Sequence, residues 1–237
     1  MGKLAAWLPD VLEHLAWGCS TSVILRNFGE KHGLSSAQAI CLDLWPAVQE
    51  LPQNIASVAK KVPENMVATG RLLQQFADEE RFYQQLFLKQ CELLRVSKSD
   101  LLECSRSKQA FNLQSNMNKF CNQNDYLDGV LSILTAELAA TAFSRTAFPL
   151  CETFFIEHMA NYESDIVEDG MQWLKLHAKN QTANALLLNR SLAELPNAKC
   201  EVVPHTAQVV LKAILEIWRC PITDTTFDTN IRKVAAF

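Results

Sequence analysis

One carboxylate stands alone in a long apolar stretch. Glu137 is the only charged residue between Gly129 and Ser144, in the segment GVLSILTAELAATAFS. A helix that is apolar on nearly every face lies in the centre of a protein, so we expect Glu137 to be buried. A buried carboxylate must be paired with a cation, protonated or bound to a metal. Glu137 therefore predicts either a functional site or a salt bridge to an arginine of another helix.

Three polar residues recur on one side of a later segment, WLKLHAKNQTANALL. At about 100° per residue, His177, Gln181 and Asn184 share a helix face with Trp173, while the opposite face is basic and polar. Burial of the Trp face would bring the three polar side chains inward, where they must be satisfied by hydrogen bonds or by a ligand. The pattern predicts a lined pocket, and a histidine satisfied within an ordinary core is the alternative.

A second carboxylate, Glu80, lies in the charged run ADEER. It shares a helical stripe with Tyr83 and Phe87, so we expect it to face inward beside aromatic rings. The alternative is a solvated position like those expected for Asp78 and Glu79. Tyr83, Phe87 and Trp173 are the predicted walls of a pocket that would contain Glu80, Glu137, His177, Gln181 and Asn184.

Helices must position these residues, and the sequence pattern predicts them. Only seven glycines in 237 residues argue against a sheet-rich protein. Apolar periodicity predicts helices over about 4–30, 36–60, 64–95, 98–121, 125–158, 166–193 and 204–219. N-caps are expected at Ser35 or Ser36, in Ser97–Asp100 and in Asn122–Asp125, and breaks or kinks at Pro46, Pro52 and Pro149. The predicted fold is one all-α domain, residues 1–237, with about seven helices.

Net charge, apolar runs and cysteine spacing argue against several classes of function. A net charge of −4 without a basic face argues against nucleic acid as a partner. Apolar runs shorter than the ~20 residues of a membrane span and the absence of a cleavable signal pattern lead us to expect a cytoplasmic protein without a membrane partner. The eight cysteines lack any CxxC spacing, which favours buried free thiols in a reducing compartment, with a catalytic thiol as the alternative.

The segment LHAKNQTAN resembles the late-helix motif of CADD-like proteins. These belong to the haem-oxygenase-like, TenA-related superfamily, which includes non-haem dimetal oxidases. FADEERFYQQLF is similar to the acidic segment before the family's first ligand histidine. The resemblance covers the helix order of roughly residues 60–220. It implies a haem-oxygenase-like multi-helical bundle and, because relatives form dimers, a homodimer.

The resemblance implies six metal ligands, of which only three survive. Glu80, Glu137 and His177 match, whereas Gln181 and Asn184 occupy the positions of an aspartate and a second histidine, and no histidine occurs between Glu80 and Gln90. Two divalent ions need several carboxylates and imidazoles, so the dimetal site is incomplete. The three residues could hold one ion, or they could form a hydrogen-bonded cluster bridged by Gln181 and Asn184. We favour the cluster.

The expected function follows from this incomplete site. We expect a CADD-like protein that binds an unidentified small, partly apolar molecule, or acts as an interaction module, without a cofactor. The first alternative is a non-haem oxidase that uses one Fe or Mn ion held by Glu80, Glu137 and His177. A TenA-like hydrolase, which the resemblance implies would need a cysteine nucleophile such as Cys151 beside Glu152, is another. The last is a structural protein whose pocket is filled by side chains.

Overall fold

The structure, a computed structural model, describes residues 5–28, 30, 33–103, 107–123, 125–158, 163–179 and 202–220. Regular structure within these ranges is entirely helical, without a β-strand. The all-α prediction is therefore confirmed. The described ranges contain ten α-helices, more than the seven or so predicted, because several predicted segments are divided by short turns.

The described α-helices are numbered in chain order. They are α1 (Leu8–Thr21), α2 (Val23–Asn27), α3 (Gly33–Ala59), α4 (Val67–Leu93), α5 (Lys98–Glu103), α6 (Lys108–Asn118), α7 (Tyr126–His158), α8 (Ser164–Gly170), α9 (Gln172–Lys179) and α10 (His205–Ile217). A 3-10 turn, Glu64–Met66, precedes α4, and a π-helical turn, Lys119–Gln123, follows α6. The predicted helix over 98–121 is thus two helices, because Ser107 begins a new one by accepting a hydrogen bond from the Ala110 amide at 3.0 Å.

Two of the three predicted N-caps are correct. Ser97 Oγ accepts from the Asp100 amide at 3.2 Å, and Asp100 accepts from the Ser97 amide at 2.7 Å, which forms a reciprocal cap. Asp125 accepts from the Asp128 amide at 2.9 Å before α7. The third prediction is wrong, because α3 begins at Gly33 rather than after Ser35 or Ser36.

The predicted proline breaks do not occur. Pro46 and Pro52 lie inside α3, and Pro149 lies inside α7. Each proline removes one backbone hydrogen bond from its helix. Pro46 and Pro52 are buried, so the packing of the helix against its neighbours outweighs the lost bonds.

The helices pack around a core that contains the middle of α7. Helix α3 lies against α4, α6 and α7, while α7 also contacts α1, α9 and α10. Trp218, at the end of α10, is fully buried, and its carbonyl accepts a hydrogen bond of 2.7 Å from Ser22 Oγ. This bond fixes the end of α10 beside α1 and α2. The surrounding helices therefore enclose the face of α7 that carries Glu137.

Helix α7 is also, within the described residues, the one helix long and apolar enough to cross a membrane by length and composition. In the bundle, 61% of its most apolar window is buried against other helices. A central core helix meets the same criterion of length and hydropathy.

Candidate functional site

Three ionisable side chains from different helices meet in the interior. Glu80 of α4, Glu137 of α7 and His177 of α9 each offer a metal-ligating atom, and these atoms lie within 4.8 Å of one another. The three residues are only 4%, 9% and 6% exposed, respectively. The structure thus brings together residues that are 57 and 40 positions apart in the sequence.

Helix periodicity explains why these residues point inward. In α4 the buried positions Leu73, Phe76, Ala77 and Glu80 recur at helical spacing, and Glu79 remains exposed beside them. In the short helix α9 the buried residues are Trp173, Leu174 and His177. Helix α4 packs against α3 and α9, and α9 packs against α7, and this burial carries the polar residue of each stripe into the core.

The two carboxylates lack a basic partner within the described residues. No described salt bridge joins Glu80 or Glu137 to a lysine or arginine, and the buried Glu80 Oε1 atom has no described hydrogen-bond partner. Loss of hydration raises the pKa of Glu80 well above its usual value, and the charge of Glu137 raises it further. Burial, with a contribution from Glu79, raises the pKa of Glu137 to about 8. The pair therefore needs a proton or another cation.

His177 is beside these carboxylates, and its hydrogen bonding fixes which ring nitrogen is an acceptor. Its Nδ1 atom lies 2.9 Å from the Trp173 carbonyl oxygen. A carbonyl can only accept, so Nδ1 carries the proton and Nε2 is the acceptor. Burial lowers the pKa of His177, which keeps the imidazole neutral. A neutral imidazole with one nitrogen anchored to a carbonyl is the form that binds metals in proteins.

Aromatic rings surround the histidine. The Trp173 and Tyr83 ring centroids lie 4.3 and 4.9 Å from that of His177. Phe87 contacts Trp173 edge to face, with centroids 5.2 Å apart, and stacks on Trp45 at 6.3 Å. These contacts hold the imidazole plane on both the α4 and α9 sides, so the position of Nε2 is set by rigid neighbours.

The three groups line a cavity of about 80 Å3. Its remaining walls are apolar and come from α3, α6, α7, α9 and α10. They are Leu44, Ala47, Val48, Leu51, Leu113, Met117, Ala136, Ala139, Ala140, Phe143, Trp173, Ile214 and Trp218. The lining thus consists of three ionisable groups and an apolar part.

The predicted pocket residues have different positions relative to this cavity. Glu80, Glu137, Trp173 and His177 line it. Tyr83 and Phe87 stand behind this wall, in contact with His177 and Trp173. Gln181 and Asn184 lie outside the described residues, so their proposed bridging role stays a prediction.

Sequence reasoning missed the apolar walls on α3, α6 and α10. Their residues have the same leucines, alanines and valines as the rest of the core, and nothing in their spacing separates a cavity wall from ordinary packing. The small residues of α7 were the one feature of the sequence that could have indicated a cavity. Ala136, Ala139 and Ala140 adjoin Glu137 in α7, where small side chains leave room beside the carboxylate.

Cys151, the candidate nucleophile, lies elsewhere in the core. Burial raises the pKa of its thiol to about 12, and Cys151 is not among the residues that line the cavity. A nucleophilic cysteine needs a lowered thiol pKa and access to a substrate. Cys151 instead has a raised thiol pKa and lies outside the cavity lining.

Comparison with known proteins supports the fold. No protein-family model matches this sequence, and no curated protein matches it either. A TenA homologue from Pseudomonas syringae pv. tomato has a similar structure at 13% identity, with a TM-score of 0.66, over 91% of this chain and 89% of that chain. A domain of unknown function with a heme oxygenase-like fold, from Shewanella denitrificans, matches at 12% identity and a TM-score of 0.66, over 90% of each chain.

A third solved structure is more distant. The TenA homologue from P. horikoshii matches at 12% identity and a TM-score of 0.50, over 90% of this chain and 97% of that chain. At such low identities the three structures establish a shared fold and leave the chemistry to this chain's own residues.

Proposed function

We propose that this chain, which has the haem-oxygenase-like fold of TenA homologues, binds one iron or manganese ion through Glu80, Glu137 and His177 and acts as a CADD-like non-haem oxidase. The observation that carries the proposal is the convergence of these three buried ligand groups within 4.8 Å. The ion-free cluster bridged by Gln181 and Asn184 stays a prediction, and the support for an ion is that Glu80 Oε1 has no hydrogen-bond partner among the described residues.

The donor set fits a single divalent ion. Two carboxylates balance its two positive charges, and a neutral imidazole supplies a nitrogen ligand suited to iron and manganese. Nitrogen and oxygen ligands bind such ions at about 2.0–2.2 Å, so the three side chains need only a small inward movement to share one ion. When bound, iron or manganese would supply the one-electron chemistry that activates dioxygen.

The chain's own residues would prepare the site for that ion. The Trp173 carbonyl holds the Nδ1 proton of His177 and leaves Nε2 available as a ligand. The Trp173 and Tyr83 rings, which contact His177 at tilted angles, fix the imidazole plane. The apolar cavity wall excludes water and would hold the hydrocarbon part of a substrate next to the three ligands.

Metal content tests the proposal directly. Protein purified without chelator from cells supplemented with iron and manganese should contain close to one ion per chain. His177→Ala should abolish this content, because it removes the sole nitrogen ligand of the cluster. The matched control is His158→Ala, which removes an exposed histidine of α7. Equal metal content in both variants, or a metal-free wild-type protein, would contradict the proposal.

A second candidate is a metal-free protein that binds a small, partly apolar molecule. The observation that favours it is the apolar part of the cavity, which a bare metal ion would not use. Native mass spectrometry of freshly purified protein should then detect a bound organic molecule without metal. The role of an interaction module, the homodimer and the cytoplasmic location stay predictions.

A hydrolytic activity has no support from the described residues. It would need an activated cysteine beside acidic partners at the site. The Cys151 thiol has a raised pKa and lies outside the cavity wall. We therefore do not propose a TenA-like hydrolase.

A further inference from the structure

We propose that Glu80, Glu137 and His177 also form a binding site for the ammonium group of a short aliphatic amine, whose hydrocarbon chain fills the apolar part of the cavity. Binding of this amine does not require a metal ion. It uses the same three side chains, so it would compete with a divalent ion for them. The apolar part of the cavity would thus bind the alkyl chain of an amine.

The three side chains match an ammonium group in number and kind of hydrogen bonds. An alkylammonium group has three N–H donors and no acceptor. The site offers three acceptors, namely two carboxylates and the Nε2 lone pair of His177, whose Nδ1 proton is already donated to the Trp173 carbonyl. The buried Glu80 Oε1 atom still lacks a partner within the described residues. Each acceptor would receive one charge-assisted bond.

The spacing of the acceptors also suits an ammonium group. Acceptors at about 2.8 Å from a tetrahedral nitrogen stand roughly 4.6 Å apart. Ligands at about 2.1 Å from a tetrahedral or octahedral metal ion stand only roughly 3.0–3.4 Å apart. The ligand atoms of the site lie within 4.8 Å of one another, a limit that includes the spacing of acceptors around an ammonium nitrogen.

The remainder of the cavity selects the group attached to the nitrogen. Ala136 and Ala140 lie on the cavity wall one turn apart, and Glu137 lies between them on α7. Met117 and Ile214 belong to the same apolar wall. No Lys, Arg, Asp or Glu other than Glu80 and Glu137 belongs to the described wall. A second charge on the ligand would therefore be buried without a partner, which excludes diamines and amino acids.

The cavity volume limits the length of the chain. An engineered cavity of about 150 Å3 holds benzene, which has six carbons. By that ratio the cavity of about 80 Å3 holds roughly three or four non-hydrogen atoms. Propylamine, with three carbons and one nitrogen, is the probe that we choose.

Calorimetric titration of chelator-treated protein tests the proposal. Propylamine should bind, and propan-1-ol, which has the same chain but no charge, should bind at least about tenfold more weakly. Glu137→Gln should weaken propylamine by a similar factor, because it removes one anionic acceptor. Glu152→Gln, an exposed change on the same helix, is the control and should leave binding unchanged.

A cavity-filling variant tests the position of the hydrocarbon chain. Ala140→Leu should reduce propylamine binding at least tenfold, whereas Ala142→Leu, the same change on α7 outside the cavity wall, should not. Circular dichroism checks that both variants fold. If Ala140→Leu does not fold, Ala136→Val is the cavity-filling variant used in its place. Binding of propylamine unaffected by both filling variants, or equal binding of propylamine and propan-1-ol, would overturn the proposal.

The same variants separate this proposal from the metal site. Ala140→Leu should retain manganese while it loses propylamine, because it alters only the apolar wall. Wild-type protein that binds propylamine but no manganese would contradict the oxidase function alone. Wild-type protein that binds manganese but no propylamine would contradict the amine site alone.

Discussion

Glu137 should make the stability of the metal-free protein depend on pH. Its pKa is about 8 in the folded protein and about 4.3 for a free glutamate. A raised acid pKa adds stability that is present below the unfolded value and lost as pH rises through the folded value. Glu137→Gln cannot ionise, so its stability should fall less than that of the wild type between pH 5 and 8.5.

Urea unfolding of chelator-treated protein at the two pH values measures this difference. Each unit of pKa shift corresponds to about 1.4 kcal/mol of unfolding free energy, so the effect is well above experimental error. Glu152→Gln, exposed on the same helix, should follow the wild type. Parallel pH profiles for wild type and Glu137→Gln would show that Glu137 is ionised and stabilised in the fold.

The burial of Glu137 could be predicted at the residue scale, whereas its surroundings could not. A single charge in an all-apolar helix has to be central, and Glu137 is indeed buried. The alternative of an arginine partner finds no described salt bridge. That Glu80 and His177 would come within 4.8 Å of Glu137 depends on how three helices pack. Spacing within one helix carries no information on that packing.

At the scale of elements, Gly129 allows α7 to approach α3 closely. A methyl group at Gly129 would overlap the side chain of Val58, which is itself fully buried. Gly129→Ala should therefore destabilise the protein by about 1–3 kcal/mol. The double change with Val58→Ala should recover part of the overlap penalty. Gly70→Ala is the matched control, because the nearest atom there lies 3.7 Å away and alanine favours a helix by about 1 kcal/mol.

Thermal or urea unfolding compares five proteins, which are the wild type, Gly129→Ala, Val58→Ala, the double variant and Gly70→Ala, and we expect opposite signs for the two glycine changes. A stabilising Gly129→Ala would mean that α3 and α7 can separate without loss of packing. The double change should lower the unfolding free energy by less than the sum of the two single changes, because the methyl group and Val58 occupy the same space.

A polar network joins α3 to α6 and the π-helical turn. Asn54 donates to Asn118 at 2.8 Å and accepts from Asn122 at 2.9 Å. Glu50, one turn earlier in α3, accepts from Gln114 at 2.6 Å. The residues recur every four positions on both partners, a pattern visible in the sequence but not recognised as a contact.

Asn54 should therefore contribute more to stability than its neighbours. Asn54→Ala removes the donor to Asn118 Oδ1 and the acceptor of Asn122 Nδ2, and it should lower the unfolding free energy by about 1–3 kcal/mol. Gln53→Ala, at an exposed position of the same helix, should change it by less than about 0.5 kcal/mol. Chemical denaturation compares the two variants. Equal effects would mean that water replaces the network without loss.

Helix boundaries show where local sequence rules fail at the element scale. The Ser97 and Asp125 caps were predictable, because a cap is a contact between residues three positions apart. The continuity of α3 through Pro46 and Pro52 was not. It depends on the burial of that helix by its neighbours, which a local rule for proline does not include.

For the whole molecule, the all-α class followed from composition and periodicity, and solved structures of similar fold confirm it. The cavity could not be predicted from composition or periodicity. Its walls come from six helices, and its existence reflects how side chains of those helices fill space. A pattern of apolar residues predicts that a core forms, but it does not predict where the core is incomplete.

A metal ion at the site should stabilise the whole molecule, because its ligands come from α4, α7 and α9. An ion that binds only the folded chain raises the unfolding free energy by about 2.7 kcal/mol at a free concentration one hundred times its dissociation constant. Thermal unfolding with increasing manganese should therefore show a rising Tm. Glu80→Gln should abolish the rise, whereas Glu92→Gln, an exposed change on the same helix, should preserve it. A Tm rise of equal size in both variants would assign the ion to a different site, because only Glu80→Gln alters a ligand of the buried cluster.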